Sequence, residues 1–257
     1  MSEQTPLPVL TGAAGFGHGT YEPAGRKTDA GRGIEWLKQG WELFKKNPGI
    51  WIAITAITGV LFIVSAFIPL IGGLAINLLS PVLVGGVMLG CHALARGEPF
   101  GIETLFAGFK QNTANLVLVG VFYMVGTLVI GVVTFLIVLV TAGSAGLAGA
   151  GGASGGALAL LAGGTLIAVL VGLALLVPLM MAFYFAPLLV VFRNVAPLDA
   201  MKASFSACLK NIVPFLVYGL VIFVPLLVAM IPFGLGLLVM GPVLLGSTYA
   251  AYMDVFE

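Results

Sequence analysis

Three long stretches of this chain, residues 47–95, 111–192 and 211–253, contain no aspartate, glutamate, lysine or arginine. Each far exceeds the ~20 apolar residues that one membrane-spanning helix needs. Each is therefore read as a hairpin of two spans, and the fold class predicted is all-α: a polytopic membrane protein with six transmembrane helices. Between the stretches the rhythm changes. Ile34, Leu37, Trp41 and Phe44 recur at helical spacing, with Glu35, Lys38, Glu42 and Lys45 between them, which is the pattern of an amphipathic helix. Ile102, Leu105 and Phe109 repeat that stripe, and so do Leu198, Met201 and Phe205. These pieces are too short and too charged to span. They are expected to lie in the membrane interface with the apolar side down.

The three amphipathic pieces align as copies of one unit. With Glu35, Glu103 and Asp199 superposed, the preceding residue is Ile34, Ile102 or Leu198, and two positions on come Leu37, Leu105 and Met201. A small residue follows at the fifth position (Gly40, Gly108, Ser204) and an aromatic at the sixth (Trp41, Phe109, Phe205). Asparagine stands at the twelfth each time: Asn47, Asn115 and Asn211. The unit continues into the membrane with a string opened by Pro81, Pro178 or Pro242, and a charge stands fifteen residues past each proline: Arg96, Arg193 or Glu257. The turns Ile68-Pro69-Leu70 and Ile231-Pro232-Phe233 also match. The repeats run over about 33–96, 101–193 and 197–257. The second carries a Gly/Ala-rich insertion over about 142–164. Prolines at 81, 178, 225 and 242 are expected to kink their helices.

Charge then sets orientation. All eleven lysines and arginines fall before residue 47, at 96 and 110, or at 193, 202 and 210. Basic residues collect in short cytoplasmic loops, so both termini and the loops at 96–115 and 193–211 are expected in the cytoplasm. The first thirty residues lack the apolar core of a cleavable signal, and residues 1–31 read as a disordered cytoplasmic tail. Trp51, Tyr249 and Tyr252 read as interfacial anchors.

Candidate chemistry is sparse. No ionisable residue of the kind that ion-coupled pumps use lies deep in a span, and Ser80 and Ser247 have no base expected beside them. Cys91, His92 and Cys208 lack the spacing of a metal site. No catalytic residue, cofactor or metal is expected, and the reading is of a protein that is not an enzyme. The repeated asparagines are read as corner residues that satisfy exposed backbone groups, or alternatively as a ring of three carboxamides around a ligand. The candidate contact surface comprises Lys38, Trp41, Lys45, Lys46 and Asn47, then Phe109, Lys110 and Asn115, then Lys202, Phe205, Lys210 and Asn211. It pairs aromatics with cations at headgroup depth, so membrane lipids and another membrane or cytoplasmic protein are the partners expected, and nucleic acid is not. The alternative reading is a passive channel or carrier for a neutral or apolar solute. A filled bundle favours binding, and a water-accessible path favours transport.

The asparagine-ended amphipathic helix followed by a hydrophobic hairpin, clearest from Asp199 through Phe205 and Lys210 to Asn211, resembles a large group of bacterial multi-pass inner-membrane proteins. That group is itself similar to the membrane domain attached to some glycerophosphodiester phosphodiesterases. The resemblance covers roughly residues 32–257 and implies a bacterial inner membrane and a six-helix domain. It transfers no catalytic residue, because the phosphodiesterase chemistry belongs to a separate soluble domain.

Overall fold

The computed structural model describes residues 21–68, 71–151 and 154–257. The turn residues Pro69 and Leu70, residues 152–153 of the insertion and residues 1–20 of the expected tail lie outside these. Among the described residues every regular element is helical: α1 Arg32–Lys46, α2 Pro48–Ala66, α3 Ile71–Ala95, a 3-10 helix Ile102–Phe109, α4 Thr113–Ala150, α5 Ser154–Tyr184, α6 Ala186–Arg193, α7 Pro197–Lys210, α8 Ile212–Met230 and α9 Leu237–Phe256. Five runs are long and apolar enough to cross a membrane: α2, α3, α4, α8, and α5 continued through α6. The sixth expected span, α9, is 20 residues long. Ser247, Thr248, Tyr249, Tyr252 and Asp254 make its second half polar, and it falls outside the five.

Pro81, Pro178, Pro225 and Pro242 all sit inside helices without ending them. The Gly/Ala-rich segment continues the helices on either side of it. α4 has 38 residues and α5 has 31. At 1.5 Å per residue α4 is roughly 57 Å long, against a hydrocarbon thickness of about 30 Å. The two helices pack along each other. Gly164 makes that possible, since a Cβ there would lie 2.3 Å from Thr141.

The three amphipathic pieces do not simply rest on lipid. α1 packs along α9, the 3-10 helix along α3 and α7 along α5. The small residue at the repeated fifth position is the contact point. A Cβ on Gly40 would lie 2.3 Å from Val243 O, and one on Gly108 would lie 2.0 Å from Val82 O. Val243 and Val82 each directly follow their helix's proline. In the third case Ser204 Oγ donates to Met181 O (2.6 Å) and accepts from Phe185 N (2.9 Å) where α5 gives way to α6.

This contact corrects the expected stripe. The face of α1 that is buried is Gly33, Trp36, Gly40, Leu43 and Phe44. Ile34 and Trp41 point outward. The second piece is a 3-10 helix of 8 residues rather than an α-helix.

The core lies at the charged end of the bundle. Trp36, Trp51, Phe185, Tyr249, Tyr252 and Phe256 are all fully buried there, each worth on the order of 2–3 kcal/mol for its apolar surface. Tyr249, Tyr252 and Trp51 are thus core residues and not the interfacial anchors that position alone implies. The spans away from this end bury little against one another. In the most hydrophobic windows of α4 and of the α5–α6 run few or no residues are fully buried.

Residues 21–31 form an ordered strap, where composition predicts a free tail. Glu22 N donates to Phe256 O (2.9 Å) and Arg26 N to Val255 O (2.8 Å). Gly25, at φ +66°, passes so close to α7 that a Cβ would lie 2.8 Å from that of Ala207. The strap is held by backbone bonds, which low hydropathy does not reveal.

Candidate functional surface at the charged end

The outer faces of α1, the 3-10 helix and α7 carry matching apolar residues at the positions before the acid and six after it. These positions are seven apart, which puts them on one face of α1 and of α7; in the 3-10 helix the two residues lie about 120° apart and both are exposed all the same. Ile34, Ile102 and Leu198 are exposed by 39%, 39% and 51%, Trp41 and Phe109 by 44% and 42%, and Phe205 is half-buried. In α1 and the 3-10 helix inward packing uses the small residue, so the adjacent aromatic is turned out; in α7 Phe205 is only partly exposed.

Most of the candidate cations are already engaged. Lys38 pairs with Glu35 (2.8 Å), Lys45 with Glu42 (2.7 Å) and Lys202 with Asp199 (3.4 Å), all exposed pairs three residues apart. Such pairs contribute little stability, but they neutralise the field of each helix. The Lys38 bond holds the Glu35 carboxyl below its ordinary range. Lys46 Nζ donates to Leu94 O (3.1 Å) and Ala95 O (3.5 Å) at the end of α3, and Lys210 Nζ to Ala24 O (2.9 Å) and Gly25 O (3.0 Å) of the strap. Lys110, at the end of the 3-10 helix, is exposed.

The three asparagines occupy different situations. Asn47 caps α2, its Oδ1 accepting from Ile50 N (3.4 Å). Asn211 is fully buried at the α7–α8 junction. Its Oδ1 accepts from Thr28 N (2.8 Å) and Thr28 Oγ1 (2.9 Å), and its Nδ2 donates to Arg26 O and Ala207 O (both 2.9 Å). Asn115 does not end the second piece; it lies in the first turn of α4. The corner there belongs to Asn112, which takes the left-handed conformation at φ +53° and donates from Nδ2 to Val190 O (3.0 Å). Two asparagines three residues apart compete for that corner, and alignment alone favours the wrong one.

Sequence reasoning missed the polar clamps on α9. Asp254 accepts from Arg32 Nε and from Trp36 Nε1, both at 2.6 Å. Arg193 Nε donates to Glu257 Oε1 (2.9 Å), Tyr252 OH donates to the same oxygen (2.9 Å), and the Arg193 guanidinium lies 4.6 Å from the centre of the Tyr21 ring. Burial raises the Tyr21 hydroxyl above its ordinary pKa, outweighing the lowering by Arg193. His92 Nδ1 lies 3.0 Å from Tyr249 OH.

Cys91 and Cys208 are buried free thiols. Cys208 Sγ donates to Met181 O (3.6 Å), and burial pushes its pKa up to about 12. Among the described residues no three His, Cys, Asp or Glu side chains gather closely enough to hold a metal ion. Ser247 Oγ donates to Val243 O (2.7 Å) and Ser80 Oγ to Asn77 O (3.4 Å).

Comparison with known proteins places this chain in a family. Over 206 residues the chain is 30% identical to a protein of Burkholderia thailandensis named "Probable inner membrane protein", an alignment covering 77% of this chain and 74% of the relative. The chain belongs to that inner-membrane protein family. Its five apolar helices make it a multi-pass member. No family model matches the chain, and no solved structure does.

Proposed function

We propose that this is a non-enzymatic inner-membrane protein that binds lipid or a partner protein through the outward faces of α1, the 3-10 helix and α7. In this reading α9 is the sixth span, the three units are repeats, and the charged end with both termini faces the cytoplasm. The observation that carries it is the repeated pair of outward apolar residues, Ile34 with Trp41, Ile102 with Phe109 and Leu198 with Phe205, set beside charges at one end of the bundle. An apolar body with a polar rim at that depth suits the headgroup region. Because Lys38, Lys45 and Lys202 are paired with acids on their own helices, the apolar faces carry more of the attraction than net charge does.

The packed aromatic core at the charged end supports binding over transport, since Trp36, Phe185, Tyr249, Tyr252 and Phe256 fill the bundle there. The test is recovery of lipids and proteins with the chain purified in mild detergent. Trp41→Ser with Phe109→Ser is expected to lower that recovery severalfold, whereas Lys45→Gln with Lys46→Gln lowers it little and keeps the topology. Unchanged recovery in the aromatic variant would sink the proposal.

A further inference from the structure

The eleven lysines and arginines divide into three groups. Six are neutralised in ion pairs: Arg32 with Asp254, Lys38 with Glu35, Lys45 with Glu42, Arg96 with Glu98, Arg193 with Glu257 and Lys202 with Asp199. Two, Arg26 and Lys27, lie on the strap with Glu22 and Asp29, and those four charges cancel. Lys46, Lys110 and Lys210 remain. Each stands where an amphipathic piece ends: the last residue of α1, the residue just past the 3-10 helix, and the last residue of α7. All three are exposed. Among the described residues the acid left over is Glu103, at the far end of the 3-10 helix. Its carboxylate folds back over Gly101, where a Cβ would lie 2.3 Å from Oε1. Seven residues of 3-10 helix put it roughly 14 Å from Lys110 along the axis, beyond the ~10 Å reach of an exposed charge in salt.

We propose that these three corner lysines select anionic phospholipid headgroups, each holding the phosphate of one lipid of net negative charge such as phosphatidylglycerol. Their role rests on the reading that the outward faces bind lipid, and it assigns that lipid's headgroup. Each lysine stands between apolar residues of its own piece and of the span that follows. Trp41 and Ile52 flank Lys46, Phe109 and Leu118 flank Lys110, and Leu209 and Val213 flank Lys210, all between 37% and 55% exposed. The spans that follow are α2, α4 and α8, so each cation sits where a span enters hydrocarbon, at phosphate depth. Backbone holds two of them there. Lys46 Nζ donates to Leu94 O and Ala95 O, and Lys210 Nζ to Ala24 O and Gly25 O. Carbonyls position an ammonium without cancelling its charge, and they leave its third N–H open. An acidic peptide fits less well, because the residues after each lysine face the space that acyl chains fill. A zwitterionic headgroup carries its own ammonium and gains less from a lysine. The apolar faces supply the attraction, and the corner lysines supply the choice of headgroup.

Native mass spectrometry of the full chain, released from nanodiscs of equal palmitoyl-oleoyl phosphatidylethanolamine and phosphatidylglycerol, reads the ratio of the two lipids that stay bound. Phosphatidylglycerol is expected to lead about fivefold, which corresponds to the ~1 kcal/mol of one lysine near an anionic surface. Lys46→Gln with Lys110→Gln and Lys210→Gln should bring the ratio to about one, with the total lipid retained changing little. Arginine at the same three positions should keep the ratio. Deleting three whole pairs should also keep it, with Gln replacing Glu35, Lys38, Glu42, Lys45 and Lys202 and Asn replacing Asp199. An unchanged ratio in the triple glutamine variant, or an equal fall in the pair-deleted one, overturns the proposal. An unmodified chain that retains both lipids equally sinks the headgroup assignment alone, and one that retains neither sinks the reading of the outward faces with it. If the triple variant does not fold, Lys110→Gln decides. Among the described residues that side chain makes no hydrogen bond or ion pair. The ratio should fall about twofold, and an unchanged value overturns the proposal.

Discussion

Arg193 and Glu257 form a two-bond ion pair, and each stands fifteen residues past a proline of the repeated string, Pro178 and Pro242. The third residue at that offset, Arg96 after Pro81, turns instead to Glu98 at 2.8 Å. Two residues at the same offset from a proline are thus joined to each other at the charged end, and Tyr252 and Tyr21 wall the pair. A half-shielded bidentate pair between elements so far apart in sequence fixes the last helix against α6.

Breaking it should be measurable. Glu257→Gln leaves the Arg193 charge half-buried and is expected to cost about 2 kcal/mol, between an exposed pair and a fully buried one. Arg193→Glu combined with Glu257→Arg should recover part of that loss. Thermal unfolding in mild detergent reads both, and a Glu257→Gln variant that melts with the unmodified chain would show that the pair contributes nothing.

The glycine contacts give a sharper contrast. Gly40→Val and Gly108→Val each force a side chain into backbone of the neighbouring helix, at 2.3 and 2.0 Å, and should destabilise by more than about 3 kcal/mol. Gly49→Ala, in α2 with open space around it, should be neutral or stabilise by roughly 0.5–1 kcal/mol through helix propensity. Similar melting temperatures for the Gly40 and Gly49 variants would contradict the close approach of α1 to α9.

The all-helical class, the apolar spans and the gathering of charge were legible because each rests on composition and local spacing. The direction of each helix head was not. Ile34, Leu37, Trp41 and Phe44 share a stripe by periodicity, yet Gly40 and Trp36 face the core, because backbone approach between helices rewards the smallest residue and periodicity weights the largest. The signal was present in the alignment, as the invariably small fifth position at Gly40, Gly108 and Ser204. The strap escaped notice for a different reason. Its bonds run from backbone to Val255, Phe256, Lys210 and Asn211, and no local pattern encodes partners so distant. Asp254 likewise reads as a polar end to a helix until Arg32 and Trp36 are found around it.

Cys208 provides a test against pH. Its thiol is held neutral up to about pH 12 by burial, against about 8.5 for a free cysteine. The folded state therefore keeps a proton that the unfolded chain releases, and stability falls as pH rises from about 8.5 towards 12. Cys208→Ser, with a hydroxyl that does not ionise in this range, should flatten that alkaline limb. Alkylation of the native protein at pH 8 should be on the order of a thousandfold slower at Cys208 than at a free thiol. Rapid labelling without unfolding would contradict the buried placement.

The asparagines should separate in a graded way. Asn211→Ala leaves Thr28 and Arg26 without their partners in a buried junction and should cost about 2–3 kcal/mol. Asn47→Ala removes one cap bond, worth about 1 kcal/mol. Asn115→Ala should change stability by less than about 0.5 kcal/mol, with Asn112→Ala the more damaging change at that corner. Unfolding midpoints in this order support corner and clamp roles. Equal, small effects on stability together with loss of co-purified lipid in all three would favour a ligand ring instead.

Orientation is the prediction with the widest reach. Every described lysine and arginine belongs to the strap, to α1, to α7, or to the ends and connections of α3, the 3-10 helix and α6. These elements pack together at one end of the bundle, joined by Arg32 to Asp254, Lys46 to the end of α3 and Arg193 to Glu257. Because basic segments resist translocation, that whole end should stay in the cytoplasm as a unit. Reporter fusions at Gly97, Pro197 and Glu257 should therefore read cytoplasmic, and fusions at Ile71, Ala150 and Gly234 periplasmic. The fusion at Glu257 also decides whether α9 crosses, since its polar second half is buried in protein and need not meet lipid. A periplasmic signal at Glu257 with the others as expected would leave five spans and place α9 outside the bilayer, which its packing along α1 at the charged end argues against.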